Sequence, residues 1–178
     1  NLSAIPVKKP ENKQWLQNTY SISPENKILY FAGAYGYQPN DDAVENMLSY
    51  IVPKLNQSSL TYTIVIVGGG LSDRLKQKIE ATDGKVIYAG FVDDIRKVLD
   101  SADVMLNPML LGGGIKTKVV EALGNNIKVV STKNGANGLD LDKCGAMLAI
   151  SEDGDWDAFA NNIISSAETH NQIGKAFF

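Results

Sequence analysis

The sequence has one cysteine and one histidine among its 178 residues, and each scarcity excludes a class of site. With Cys144 alone, no internal disulfide can form and no cluster of thiolates can bind a metal. His170 is the only imidazole, so a Ser–His–Asp triad would depend on it, and zinc sites built from several histidines are excluded. Because His170 falls near the end of a polar helical stretch, we interpret it as a surface residue.

Positive charge and long apolar runs are also scarce. The formal net charge is −3, which argues against a nucleic-acid partner held by phosphate neutralisation. No apolar stretch approaches the roughly 20 residues that a membrane-spanning helix needs. The chain begins at Asn1 without a signal-peptide pattern. We therefore expect a piece of a longer protein that is cytoplasmic, or peripheral at the inner membrane.

Strand-like and helix-like segments alternate along the chain from residue 27. Continuous apolar strands separated by helices predict an α/β fold: a Rossmann-like, doubly wound parallel sheet of about six strands with helices on both faces. The predicted strands are 27–33, 61–70, 84–91, 102–108, 127–132 and 145–150. The predicted helices are 39–55, 71–82, 93–102, a stretch that ends near 123, and 155–170.

Local signals refine the ends of these elements. We expect Asn40 or Asp41 to cap the first predicted helix and Asp93 or Asp94 to cap the third. Pro53 should bend or end the first helix. Residues 1–26 contain prolines and little periodicity. They are predicted to be a linker packed on the surface of a single domain, residues 27–178.

The predicted topology places two distinctive loops together. In a doubly wound sheet of strand order 3-2-1-4-5-6, ligands bind beyond the carboxyl ends of the strands where the order reverses, between strands 1 and 4. Residues 33–40 follow strand 1 and residues 107–114 follow strand 4. Both loops are rich in glycine or polar residues, so we predict a ligand crevice between them.

The stretch LLGGGIKTKVVEAL, residues 110–123, is typical of an anion site. A helix N-terminus has unpaired N–H groups and a partial positive charge, and glycine lets a large anion approach the backbone. Lys116 adds a charge and Thr117 a hydroxyl, while Glu121 lies one turn further on the same face. The alternative is a tight loop before a helix, with Lys118 and Glu121 as a solvated pair.

A second glycine turn, residues 67–73, suggests a dinucleotide fingerprint. It reads Gly68-x-Gly70-x-x-Asp73, so the third glycine is absent, and it follows the second strand rather than the first. We interpret it as a turn whose backbone lies near the ligand. The turn at Phe91 and Val92, after strand 3, offers backbone groups to a flat base, or simply ends the strand.

Four segments occur in an order typical of one enzyme family. They are ILYFAGAYGYQPN, VIVGGG, AGFVDDIRKVLDSADVMLNPMLLGGGIKTKVVEAL and VVSTKNGANGL. From about residue 27 to 170, the sequence resembles the C-terminal domain of the group 1 family of retaining GT-B glycosyltransferases. The resemblance implies a donor-binding domain of a hexosyltransferase, which uses a UDP-, GDP- or similar nucleotide sugar without a metal or other cofactor.

The resemblance also implies roles for particular residues. Glu121 would bind the ribose, Lys116 would stabilise the diphosphate leaving group, and Phe91 and Val92 would contact the base. The donor-binding residues predicted from the motifs and the resemblance together are Gly33, Gly36, Phe91, Val92, Gly112, Gly113, Gly114, Ile115, Lys116, Thr117 and Glu121.

One position departs from the family pattern. Gly113 stands eight positions before Glu121, where many members carry a glutamate that touches the donor sugar, so the sugar, base and acceptor stay open. Asp140 and Asp142 spell an Asp-x-Asp metal motif, but they fall in a predicted surface turn, and we expect no metal there. The acceptor-binding N-terminal domain is missing, so we expect this fragment to be inactive alone.

Two other functions remain open at this point. One is an NAD(P)-dependent oxidoreductase on the same architecture. The other is a non-catalytic nucleotide-binding module that only partners another protein. For the lead interpretation, synthesis of a cell-surface polysaccharide is the expected process.

Overall fold

A computed structural model describes residues 8–113 and 117–169. Six parallel strands form one sheet in the order β3-β2-β1-β4-β5-β6, which confirms the predicted α/β fold and its strand order. The strands are β1 (Lys27–Ala32), β2 (Tyr62–Val67), β3 (Val86–Gly90), β4 (Val104–Asn107), β5 (Lys128–Thr132) and β6 (Leu148–Ser151).

Helices connect the strands, and most of them lie close to their predicted positions. They are α1 (Pro10–Thr19), α2 (Gln38–Asn46), α3 (Val52–Asn56), α4 (Asp73–Glu80), α5 (Ile95–Ser101), α6 (Thr117–Gly124), α7 (Leu141–Cys144) and α8 (Trp156–Glu168). Short 3₁₀ turns occupy Asn134–Ala136 and Gly145–Met147. None of the helices within the described ranges is long and apolar enough to cross a membrane.

The sheet is covered on both faces, as its sequence pattern requires. All six residues of β2 are buried, because side chains on both faces of a central parallel strand meet helices. One face packs against α2, α4 and α8, for example through Val44, Leu75 and Phe159. The other face packs against α1, α5 and α6, through residues such as Leu16 and Val119. This sandwich fixes where the carboxyl ends of the strands, and the loops that follow them, must lie.

The region predicted as the linker contains a helix that the sequence pattern did not indicate. Leu16 of α1 is fully buried against the sheet. Lys13 forms an ion pair with Asp103, whose carboxylate also accepts a hydrogen bond from the Ile28 N–H group. The stretch therefore gains its helical structure from contacts with distant parts of the chain rather than from its own periodicity.

The first predicted helix, 39–55, is confirmed in its extent, because α2, a π-helical turn and α3 together run from Gln38 to Asn56, but its N-cap and its interior differ from expectation. Tyr37, not Asn40 or Asp41, occupies the N-cap position. A π-helical turn, Met47–Ile51, precedes Pro53, because proline lacks an N–H donor and its ring would clash with the carbonyl one regular turn earlier. Asp94 does precede α5, but its side chain makes no capping hydrogen bond. The predicted caps at Asn40 and Asp41 are therefore wrong. Asn40 donates a hydrogen bond to the Ala34 carbonyl, and Asp41 accepts one from the Gly36 N–H group, both in the preceding loop.

Candidate functional site

The loops after β1 and β4 meet at the carboxyl edge of the sheet, as the strand order predicts. A cavity of about 230 Å³ lies between these loops and the start of α6. Its lining residues are Tyr37, Asn40, Met109, Gly112, Gly113, Thr117 and Lys118. A larger open cleft of about 730 Å³ is lined by residues between Pro10 and Pro24 beside α1. We take the smaller cavity as the candidate site, because it lies at the switch point of the sheet.

The loop after β1 is built around Asn40. This side chain is 8% exposed, and its Nδ2 atom donates a hydrogen bond of 2.9 Å to the Ala34 carbonyl. A Cβ atom on Gly33 would lie 2.8 Å from Asn40 Cγ, so glycine is needed where the loop closes on this side chain. The loop is therefore shaped by a buried amide within the protein.

Both predicted donor-binding glycines of this loop already use their N–H groups. Gly33 donates to the Val67 carbonyl at 3.1 Å. Gly36 has a φ of +84° and donates to the Asp41 carboxylate at 3.0 and 3.2 Å. What these two glycines offer to a ligand is therefore space, and the hydrogen-bond donors of the site must come from elsewhere.

Lys118 lines the cavity, although it is not among the residues predicted to bind the donor. Its Nζ atom lies 3.2 Å from the Ala32 carbonyl, 3.3 Å from Asn40 Oδ1 and 4.4 Å from the centroid of the Phe31 ring. The second residue of α6 thus reaches back to the end of β1 and places an ammonium at the cavity wall. This contrasts with the alternative of a solvated pair between Lys118 and Glu121. The proximity of Lys118 to the glycine stretch was the available sequence signal.

The glycine stretch itself lines the cavity with its first two members. Gly112 has a φ of +100°, which favours glycine for conformational reasons. Gly113 does not have a positive φ, and a Cβ atom placed there would meet no atom of the described residues within 4 Å. Within the part of the chain that the structure describes, neither packing nor backbone strain accounts for glycine at position 113. The predicted donor-binding residues Gly114, Ile115 and Lys116 lie outside the described residues.

The remaining predicted residues lie at different distances from the cavity. Thr117 lines the cavity and is exposed to solvent. Glu121 is also exposed, one turn further along α6, but it does not line the cavity. Burial, with a smaller contribution from the Glu121 charge, raises the pKa of Tyr30. Phe91 is 79% exposed beyond β3, and neither it nor Val92 lines the cavity. The structure brings Gly112, Gly113 and Thr117 together, but not the whole predicted set.

The triple-glycine turn after β2 has a structural explanation. A Cβ atom on Gly68 would lie 1.8 Å from the Gly33 carbonyl oxygen, and one on Gly70 would lie 2.7 Å from the Tyr35 carbonyl oxygen. The Tyr35 N–H group donates to the Gly69 carbonyl at 3.0 Å. These glycines allow the loop after β1 to cross the turn, so packing explains the feature that suggested a dinucleotide fingerprint.

The Asp-x-Asp sequence after β5 is also explained by its local structure. Asp140 precedes α7 and forms an ion pair with Lys143 at 2.8 Å. Across residues 8–113 and 117–169, no three His, Cys, Asp or Glu side chains come close enough together to hold a metal ion. His170 falls outside the described residues.

Solved structures with the same fold include several glycosyltransferases. The enzyme from Rickettsia africae ESF-5 has a TM-score of 0.70 at 14% identity, covering 89% of this chain and 42% of that one. Anabaena Alr3699/HepE in complex with UDP and glucose has a TM-score of 0.67 at 18% identity, covering 90% and 43%. The C-terminal domain of the group 1 family protein LpcC from Francisella tularensis has a TM-score of 0.62 at 19% identity, covering 90% and 84%.

Sequence comparison gives the family. An uncharacterised 44.6 kDa protein in the cps region of Klebsiella pneumoniae is 30% identical over 112 residues, covering 60% of this chain and 29% of that protein. The chain therefore spans less than a third of that curated relative. The profile of the family described as "Glycosyl transferases group 1" matches residues 26–168. The chain belongs to the group 1 glycosyltransferases, and its fold is that of the C-terminal domain of a GT-B enzyme.

Proposed function

We propose that the cavity between the loops after β1 and β4 binds the diphosphate of a nucleotide sugar. In this proposal, the full-length protein transfers that sugar to an acceptor with retention of configuration. Membership of the group 1 family supports the reaction class. The observation that carries the proposal is a cavity that combines an open glycine wall at Gly113 with the ammonium of Lys118 beside the start of α6.

The chemistry of such a cavity suits a leaving group that gains negative charge. As the bond between sugar and diphosphate breaks, charge develops on the diphosphate oxygens, and a fixed cation lowers the energy of that state. Lys118 donates hydrogen bonds to the Ala32 carbonyl, to Asn40 Oδ1 and to Met109 Sδ, so its charge is positioned in advance. The partial positive charge at the start of α6 acts in the same direction. Lys116 remains a predicted second cation.

The nucleoside is proposed to extend from the diphosphate towards the neighbouring loops. Glu121 is exposed on α6 and can accept hydrogen bonds from a ribose diol. Phe91 and Val92 are proposed to meet the base at the end of β3. Anabaena HepE was solved with UDP and glucose, so UDP is the first nucleotide to test, beside GDP and ADP.

The acceptor is proposed to bind to a part of the protein beyond this chain. The chain covers 42% of the Rickettsia africae enzyme and 43% of Anabaena HepE. We therefore expect this domain to bind nucleotide but not to transfer sugar alone. A cell-surface glycan is the proposed product class, since the Klebsiella pneumoniae relative is described from a cps region.

Replacement of one lysine tests the proposal. Lys118→Met keeps the length of the side chain but removes the charge, and we expect it to weaken UDP, GDP or ADP binding by about ten- to a hundredfold, since the variant loses an attraction between opposite charges on the order of 1.5–3 kcal/mol. Titration calorimetry on the wild type and the variant measures this loss. Lys143→Met, an exposed lysine on α7, is the matched control.

Three outcomes would count against the proposal. They are an absence of binding by the wild type, equal binding by Lys118→Met, and an equal loss in the Lys143→Met control. A non-catalytic nucleotide-binding module would bind as predicted, yet the full-length protein would not consume a labelled nucleotide sugar in the presence of an acceptor extract.

A further inference from the structure

Three polar side chains lie fully buried where β4 and β5 end. Asn107, Ser131 and Thr132 are each 0% exposed, in strands whose other buried positions are mostly apolar. A polar group removed from water lowers stability unless it finds a hydrogen-bond partner. This cluster adjoins the loop that forms one wall of the cavity, so its partners decide how that loop is held.

Thr132 connects the loop after β5 with the loop after β4. Its Oγ1 atom donates a hydrogen bond of 2.5 Å to the Met109 carbonyl and accepts one of 3.1 Å from the Gly135 N–H group. Asn134 Nδ2 donates to the same Met109 carbonyl at 3.3 Å. Met109 lines the cavity and stands three residues before Gly112. The Met109 carbonyl, which precedes the cavity-lining glycines Gly112 and Gly113, is therefore held by the side chains of Thr132 and Asn134.

Asn107 holds the other side of this connection. Its Nδ2 atom donates to Ser131 Oγ and to the Gly135 carbonyl, both at 3.1 Å. A Cβ atom on Gly135 would lie 2.4 Å from that nitrogen, so the turn closes tightly on the amide. Asn107 Oδ1 is buried without a partner among the described residues. The two hydrogen bonds of its Nδ2 atom therefore hold the turn at Gly135 against the end of β4.

We propose that Thr132 is a positioning residue for the donor diphosphate, acting through the Met109 carbonyl on the wall at Gly112 and Gly113. For its ligand, this inference rests on the function proposed above. Thr132 does not line the cavity, so its effect must pass through the loop that it holds. Without the Thr132 hydroxyl, the Met109 carbonyl loses one of the two side-chain donors that it has among the described residues, and the residues that follow it sample more conformations.

A pair of substitutions separates the hydroxyl from the bulk of this side chain. Thr132→Val keeps the shape and removes both hydrogen bonds, whereas Thr132→Ser keeps the hydroxyl. We expect Thr132→Val to weaken UDP binding about tenfold, and Thr132→Ser to restore it to within about twofold of the wild type. Asn134→Ala removes the second donor to Met109 in a more exposed position and should give a smaller loss in the same direction.

Ser151→Ala is the matched control for loss of a buried hydroxyl. Ser151 lies at the end of β6 and is 5% exposed, and its Oγ atom has no hydrogen-bond partner in the ranges that the structure describes. Removal of this hydroxyl should leave UDP affinity unchanged. Circular dichroism on each variant establishes that the protein is folded before affinity is compared.

Hydrogen–deuterium exchange of amides 110–113 gives a second readout that needs no ligand. We expect faster exchange in Thr132→Val than in the wild type, Thr132→Ser or Ser151→Ala. Unchanged exchange and unchanged affinity in Thr132→Val would overturn the inference, as would an equal effect in Ser151→Ala. If the wild type binds no nucleoside diphosphate but exchange responds as expected, the function proposed for the cavity fails while the positioning of the loop stands. If Thr132→Val does not fold, Asn134→Ala decides by the same two readouts.

Discussion

The two glycine-rich turns of this domain look alike in sequence but have different physical causes. In the turn after β2, Cβ atoms on Gly68 and Gly70 would run into the backbone of the loop after β1. In the turn after β4, a Cβ atom on Gly113 would meet no atom of the described residues within 4 Å. The first turn is glycine-rich because another part of the protein fills the space beside it. The second borders a cavity, and ligand access is the explanation that we propose.

The largest expected effect comes from the crowded turn. Gly68 has a φ of +123°, and its Cβ atom would lie 1.8 Å from the Gly33 carbonyl oxygen. We expect Gly68→Ala to lower the free energy of unfolding by more than about 3 kcal/mol, through strain and displacement of the loop after β1. Urea denaturation measures this change. Gly69→Ala, in open space in the same turn, should change stability by less than about 1 kcal/mol. Equal effects at the two positions would remove the distinction between crowded and open glycines.

A substitution in the glycine turn after β4 should change nucleotide binding and not the stability of the fold. We expect Gly113→Ala to leave the melting temperature nearly unchanged, because the new methyl group meets no atom of the described residues. UDP affinity should fall about tenfold, equivalent to about 1.4 kcal/mol, because the methyl group narrows the cavity. Calorimetry and thermal melting of the same sample test both statements. Gly69→Ala again serves as the control, and a loss of affinity there would break the comparison.

The smallest expected effect concerns the contact between two helices, α2 and α4. Helix α2 follows the loop after β1, and α4 follows the glycine turn after β2. Glu45 of α2 accepts hydrogen bonds from Lys78 and Arg74 of α4. The hydrogen bond from Lys78, the largest cause, and that from Arg74 lower the pKa of Glu45 from 4.5 to about 2. The ionised form is therefore favoured in the folded state. Its stabilising contribution is complete above pH 4.5 and is lost as the pH falls towards 2.

Substitution of Glu45 tests this linkage. Since the carboxylate is partly exposed, with 29% relative side-chain accessibility, we expect the contribution to be below about 1 kcal/mol. Denaturation of Glu45→Gln between pH 4.5 and pH 2 should show a shallower dependence of stability on pH than the wild type. Identical slopes would mean that these ion pairs do not help to hold the two helices together.

The general plan of the fold could be predicted from the sequence because its signals are local. The apolar runs of β1 and β2 identify buried parallel strands without knowledge of their neighbours, and the alternation with helices restricts the topology. The position of the crevice then follows from the strand order. By contrast, α1 has weak periodicity, and its position depends on the burial of Leu16 and on the ion pair of Lys13 with Asp103.

The details of the candidate site were less accessible because they depend on contacts between distant residues. The stretch around Gly113 could be identified from the sequence, but the charge was predicted at Lys116, and Lys118 entered only in the alternative interpretation, as part of a solvated pair. The Nζ atom of Lys118 meets the Ala32 carbonyl, 86 positions away, and no local pattern encodes that direction. Thr132 could not be predicted for the same reason, because its hydrogen-bond partner Met109 lies 23 positions earlier in the chain.

The hydrogen bonds of Lys118 to Ala32 and Asn40 have a consequence for the thermodynamics of anion capture. A lysine that moves freely in water loses about 2 kcal/mol of rotamer entropy when it becomes fixed. Here the side chain is already ordered by contacts within the protein. The entropy cost of ordering this lysine is therefore met during folding and not when a polyanion binds. This contribution to the free energy of binding would be the same whichever base the nucleotide carries.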